Sequence, residues 1–252
     1  MNLELTGRVC IVTGASAGIG RGIVACLAAE GARVVAVARR GALLGELADE
    51  IERRGEPRPL PLAADVTACG APAAIRCAAL DAFGAIDVLV NNAGRSGAVG
   101  PGAPESVWSE AMELKFVAAR RLAQAVIPDM VGRGYGRIIN ITGSSEPAST
   151  NAAVAANGAL YGWAKGLSRD VARHGITVNC VGPGRIMSEQ IATRLYPTEE
   201  ARRRFAEAHI PAGYFGEPGD VARLVAFLAS PASRYLTGQI VLVDGGMSLF
   251  AF

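Results

Sequence analysis

The sequence predicts an α/β fold, a doubly wound parallel sheet of the Rossmann type, in a single domain over residues 1–252. Three observations predict it. Short β-branched runs, apolar almost throughout, alternate with longer Ala/Leu-rich segments of helical period. Strands apolar on both faces belong to a parallel sheet covered by helices on each side. A glycine-rich stretch, TGASAGIG, lies between the first apolar run and the first helix. With 252 residues, half of them hydrophobic, the chain is long enough for one large core. No repeat, low-complexity tract or linker divides it.

The elements follow in order. RVCIVTG reads as the first strand and leads into a helix from about Ile19 to Glu30. ARVVAVA is the second strand, followed by a helix near Leu43 to Arg54. RPLPLAAD, a helix ending near Phe83, and IDVLVNN come next. A long helix around 106–131 precedes GRIINIT. A helix ending near Arg173 leads to GITVNCV, and a last helix at about 219–229 precedes QIVLVDGG. Right-handed crossovers between such strands give the doubly wound arrangement. The stretch from about 185 to 217 is the one long excursion between elements, and excursions of that length usually cover a site.

Composition excludes several function classes. A net charge of +2 with interspersed acids and bases does not describe a nucleic-acid surface. Arg202, Arg203 and Arg204 read as the solvated face of a helix, the alternative being contact with an anionic ligand. The five cysteines show no C-x-x-C spacing and read as buried thiols of a reducing compartment. The two histidines, His174 and His209, have no ligand cluster near them, so no metal is expected. No apolar run is long enough to cross a bilayer, and no leader pattern opens the chain. The expectation is a soluble cytoplasmic protein with no membrane partner.

The glycine stretch carries the first chemistry. Gly14, Gly18 and Gly20 let the backbone turn tightly, and with Ser16 and Ile19 they form a loop opening onto a helix N-terminus. Such a loop holds a dinucleotide pyrophosphate on free N–H groups. The end of the second strand says which dinucleotide. A carboxylate there would bind the adenosine 2′-hydroxyl, but the chain has Ala38 followed by Arg39 and Arg40. A guanidinium offers a 2′-phosphate a fork-shaped partner, so NADP is expected, with NAD the alternative.

These motifs resemble the short-chain dehydrogenase/reductase family, and the resemblance runs from end to end. TGASAGIG matches that family's T-G-x-x-x-G-x-G, and Asp65-Val66 its adenine-flanking pair. Asn91, Asn92, Ala93 and Gly94 match its N-N-A-G. Asn179, Pro183 and Gly184 match the segment that meets the nicotinamide amide, with Ile186 just beyond. The resemblance implies a nicotinamide-dependent oxidoreductase, a carbonyl or alcohol substrate, and a homotetramer or homodimer.

The family's active Tyr-x-x-x-Lys pair has a counterpart in ALYGWAK, at Tyr161 and Lys165. On a helix that spacing puts a phenol and an ammonium on one face, close enough to lower the phenol's pKa. Its register is wrong. Lys165 precedes Gly175 by 10 residues, eight fewer than the family pattern has, which is roughly 12 Å along a helix and about 80° around it. Counted back from Gly175, the family's Tyr falls on Ala153 and its Lys on Asn157. Tyr161 and Lys165 then lie further along, where the family's helix meets a partner subunit. A helix that starts later, leaving residues 151–157 as loop, is the alternative.

The family's Ser position, counted from Asn140, falls on Gly143, with Ser144 next as a substitute. Trp108 and Pro128 fix the register of the long helix and place Lys115 where the family has Asn. The expected catalytic set is therefore Lys115, Ser144 and Asn157, with a non-standard proton donor. A nucleotide-binding protein without redox turnover is the second reading, and loss of the cofactor in favour of hydrolytic or elimination chemistry the third. Arg194 and the arginines at 202–204 hint at an acidic substrate.

Overall fold

A computed structural model describes residues 2–95, 99–143, 146, 149–189 and 191–249, with Arg194 described by its backbone only. Seven parallel strands form one sheet in the order β3-β2-β1-β4-β5-β6-β7. They are β1 (Val9–Thr13), β2 (Arg33–Ala38), β3 (Leu60–Ala63), β4 (Val88–Asn91), β5 (Gly136–Ile141), β6 (Ile176–Pro183) and β7 (Ile240–Val243). The five central strands are buried almost throughout. Among the described residues, the helices are α1 (Gly18–Ala29), α2 (Gly41–Arg53), α3 (Ala71–Phe83), α4 (Glu105–Met112), α5 (Ala118–Arg133), α6 (Ala152–Val171), α7 (Glu199–His209) and α8 (Pro218–Ala229).

Two cores lie on opposite faces of the sheet. On one, Ile23 and Leu27 of α1 and Val221 and Val225 of α8 pack against Val12, Val34 and Val90. On the other, Ile75 of α3 and Leu122, Val126 and Met130 of α5 pack against Ile11, Leu89, Ile138 and Val178. At the N-terminal ends of the strands, buried Asp87 accepts from the Val9 N–H (2.9 Å), Arg8 (3.4 Å) and Arg133 (3.2 Å). Arg137, also buried, donates to the carbonyls of Gly136, Gly175 and Ser230.

Three local features position the site. The predicted long helix is interrupted, because α4 passes into α5 through a π-helical turn, Glu113–Val117, that carries Lys115. Helix α6 begins at Ala152, where the Asn151 side chain accepts from the N–H groups of Ala153 and Val154. That cap satisfies donors a helix start leaves free, so residues 152–157 are helix and not loop. The excursion after β6 is more ordered than its composition suggests. It holds a π-helical turn (Ile191–Leu195) and α7, which rest on a small core of Ile191, Ala206, Ile210 and Phe215.

One expectation about side chains is corrected and another agrees with the structure. Cys10 and Cys180 are buried, but Cys69 and Cys77 are exposed and Cys26 is partly so; Cys77 lies off the buried face of α3, which is made by Ala71, Ile75 and Ala79. Arg203 and Arg204 pair with Glu207 (3.9 Å) and Glu200 (3.6 Å) of their own helix, and Arg202 donates to the Tyr196 carbonyl. They form a solvated face. No helix among the described residues is long and apolar enough to cross a membrane.

Candidate active site

A wide cleft opens along the C-terminal ends of the strands, where open α/β sheets bind ligands. Its cofactor half is built on Thr13, the last residue of β1. The Thr13 hydroxyl accepts from the N–H groups of Asn92 (2.9 Å) and Ala93 (3.0 Å), while the Asn92 amide donates to the Thr13 and Gly14 carbonyls. These bonds clamp the glycine loop onto the N-N-A-G segment. Gly14 has φ +66°, and a Cβ there would come within 2.9 Å of the Ala93 backbone; one on Gly20 would lie 2.2 Å from the Gly14 carbonyl oxygen. No larger residue fits either place.

Helix α1 starts after Ala17 with no side-chain cap and no acid in its first turn. Its free N–H groups and positive dipole end suit a pyrophosphate. Gly14, Ser16, Gly18, Ile19, Gly20, Arg39, Arg40, Asp65, Val66, Ala93, Gly94, Pro183, Gly184 and Ile186 all line this one cleft. Asp65 accepts from the Thr67 N–H and hydroxyl, and those bonds, with the Arg39 charge nearby, hold its carboxyl below the usual range. Asn91 turns inward instead. Its buried amide donates to Asn140 Oδ1 (3.0 Å) and the Ala119 carbonyl, because an amide at the end of a fully buried strand is satisfied within the sheet.

In the other half, Lys115 reaches in from the π-helical turn. It is 9% exposed, and its Nζ donates to the Thr142 carbonyl at 3.1 Å. It passes so close to Gly94 that a Cβ there would lie 3.3 Å from Nζ. Burial pushes its pKa down from 10.5 to about 8, with no carboxylate contributing. Ala153 and Asn157 line the same cleft from α6. Asn157 is 2% exposed and its Oδ1 has no hydrogen-bond partner among the described residues. Gly143 faces it, a Cβ there falling 3.3 Å from Asn157 Nδ2. Ser144 lies outside the described residues.

Tyr161 and Lys165 do not line the cleft. The Tyr161 hydroxyl donates to the Gly143 carbonyl (3.0 Å) and lies 2.8 Å from the Thr142 hydroxyl. Burial raises its pKa, the reverse of what the Tyr-x-x-x-Lys spacing predicts. Lys165 is exposed and donates to the Gly238 carbonyl at 3.0 Å. The two side chains therefore serve different partners. Nor does the phenol face outward: it is tucked under the end of β5. The cleft wall from the excursion is aromatic, with Tyr196, Phe205 and His209, and the Tyr196 and Phe205 rings meet at 4.7 Å, tilted by 47°. Arg202, Arg203 and Arg204 do not line it, so they lend no support to an acidic substrate; the Arg194 side chain lies outside the described residues.

A family model described as enoyl-(acyl carrier protein) reductase matches residues 14–248. The chain is 37% identical over 252 residues to a 3-oxoacyl-(acyl-carrier-protein) reductase of Vibrio cholerae, covering 98% of this chain and 99% of that one. The chain belongs to the short-chain dehydrogenase/reductase family. A second relative of that family, a 2,3-dihydroxy-2,3-dihydro-p-cumate dehydrogenase of Pseudomonas putida, is 34% identical, with 98% and 96% of the two chains covered. Among solved structures, L-sorbose reductase from Gluconobacter frateurii, complexed with NADPH and L-sorbose, superposes with a TM-score of 0.93 at 31% identity, covering 99% of this chain and all of that one.

Gly143, Ala153, Asn157 and Lys115, on which the register counted along the sequence puts the family's four catalytic positions, all line the cleft. Sequence reading names Asn92 only as part of N-N-A-G and passes over Thr13 and Thr142. The first two stand inside quoted motifs and were open to notice. Thr142 acts through its backbone carbonyl, which no side-chain pattern reveals.

Proposed function

We propose that the protein is an NADP-dependent oxidoreductase interconverting a carbonyl compound and its alcohol, with Lys115 as the proton donor in place of the family's tyrosine. The observation that carries the proposal is a buried amino group, without an acidic partner, facing a cleft whose other half fits a dinucleotide. A bound nicotinamide supplies or accepts the hydride. Arg39 and Arg40 hold the 2′-phosphate, and the free N–H groups of α1 hold the pyrophosphate.

At neutral pH Lys115 is largely an ammonium. It polarises the substrate oxygen and gives it a proton as negative charge develops there. Thr142 fixes the ammonium's direction through its carbonyl. Asn157, whose Oδ1 has no partner among the described residues, accepts from a hydroxyl of the ribose or of the alcohol. Ser144 follows Gly143 and is proposed as a further donor to the substrate oxygen. The Tyr196 and Phe205 wall favours a substrate with an apolar side. We place the enzyme in the cytoplasm as a homotetramer or homodimer.

The second reading is dinucleotide binding without turnover. The small side chain of Ala153 and the inward turn of Tyr161 favour it, since together they leave no phenol where α6 borders the cleft. Nicotinamide fluorescence titration separates the cofactor arms: NADPH is expected to bind more tightly than NADH. Arg39→Ala removes a charge-assisted contact of about 1.5–3 kcal/mol and should weaken NADPH roughly tenfold or more. Equal affinities, or a preference for NADH, would sink the NADP reading. Retained NADPH binding with no turnover across a screen of aldehydes, ketones and alcohols would favour the second reading.

A further inference from the structure

Arg40, at the end of β2, is bound from two directions. Its Nε donates to the Ser16 hydroxyl of the glycine loop at 3.2 Å, and its NH1 pairs with the Glu189 carboxylate at 3.0 Å. Glu189 comes from the segment after β6, 149 residues along the chain. That segment lies across the glycine loop, since a Cβ on Gly18 would touch the Ser188 Cβ at 3.4 Å. The Thr193 hydroxyl donates to the Glu189 carbonyl at 2.7 Å and steadies it. So a carboxylate is present at the adenosine end of the cleft after all, delivered from the opposite wall and not from β2.

We infer that Glu189 sets how strongly the cleft prefers a 2′-phosphorylated dinucleotide, by competing with the 2′-phosphate for Arg40. The inference rests on the NADP site proposed above. The Arg40 and Glu189 side chains are 48% and 64% exposed, and an ion pair that open to water is weak. A phosphate dianion offers more charge and more acceptor oxygens to the guanidinium than a carboxylate does. It therefore displaces Glu189, and the loss of the Arg40–Glu189 pair opposes its binding. A 2′-hydroxyl carries no charge and meets no such opposition. Asp65 also lies at this end, near the Arg39 charge, with its Oδ1 accepting from the Thr67 N–H and hydroxyl. Glu189 is thus a specificity-determining side chain that damps the NADP preference Arg39 and Arg40 create.

The test is calorimetric titration of the full-length protein with NADP+ and with NAD+ at low salt. Glu189→Gln should tighten NADP+ about fivefold, the most an exposed pair of this kind is worth, and leave NAD+ within about twofold. In an Arg40→Ala background the same substitution should gain nothing, and raising the salt should shrink the gain in the single variant. If wild type binds NADP+ but Glu189→Gln leaves the ratio of the two affinities unchanged, the inference falls alone. A gain that persists without Arg40 also overturns it. A wild type that binds neither dinucleotide overturns the proposed function, and this inference with it.

Discussion

Lys115 keeps an amino group where water does not reach it freely, and its depressed pKa measures what that does to stability. A shift from 10.5 to about 8 corresponds to about 3 kcal/mol of unfavourable desolvation. Because the folded pKa is the lower one, the penalty is fully present below pH 8 and fades as pH rises towards 10.5. Lys115→Met should therefore raise the melting temperature at pH 7 by several degrees, and this advantage should shrink on titration to pH 10. The same substitution should lower turnover 10²–10³-fold, the usual loss on removing one preorganised charged donor. In wild type, carbonyl reduction should hold level below pH 7 and fall above pH 8 as the ammonium is lost. A rate that keeps rising with pH would exclude Lys115 as the acid. Tyr161→Phe is the companion measurement. It removes the bond to the Gly143 carbonyl, worth about 1 kcal/mol, while the Thr142 hydroxyl keeps its bond to Val181. Turnover is expected within a few-fold of wild type, and a collapse with Lys115→Met near normal would show ALYGWAK to be the catalytic pair.

Helix α6 shows what counting along a sequence can and cannot deliver. The count back from Gly175 was legible from spacing, but the start of the helix at the Asn151 cap, which puts Ala153 and Asn157 on it, was not. Nor was the direction in which Tyr161 points, because the hydroxyl answers to carbonyls that β5 brings up from elsewhere in the chain. The π-helical turn was equally hidden, since one residue more per turn leaves no compositional trace. Along α6, Gly158, Gly162 and Gly166 are exposed, with open space where a Cβ would be. Trp163 lies beside them, half-buried, its ring edge-on to Phe116 at 6.3 Å. A face of glycines flanked by an aromatic suits close approach of a second copy. Sedimentation equilibrium is expected to show an oligomer at micromolar concentration, and Trp163→Glu to dissociate it. A folded Trp163→Glu variant of unchanged mass would count against this face.

For the molecule as a whole, the alternation of strands and helices and the cofactor half were readable because each rests on contiguous motifs: an apolar run, a glycine turn, N-N-A-G. What escaped depends on residues far apart in sequence, such as Arg40 with Glu189 or Lys115 with Thr142. The excursion after β6 belongs with these, since α7 is held by a core of its own that only folding assembles. The distribution of thiols across this architecture supplies a clock. Cys69 and Cys77 are open to solvent, Cys26 half so, and Cys10 and Cys180 lie inside β1 and β6, where burial raises the Cys180 pKa to about 12. Ellman's reagent should take two thiols of the native protein at once and a third slowly. The last two should react only as fast as the sheet itself opens. A dinucleotide bound across the strand ends should slow that final phase and leave the first untouched.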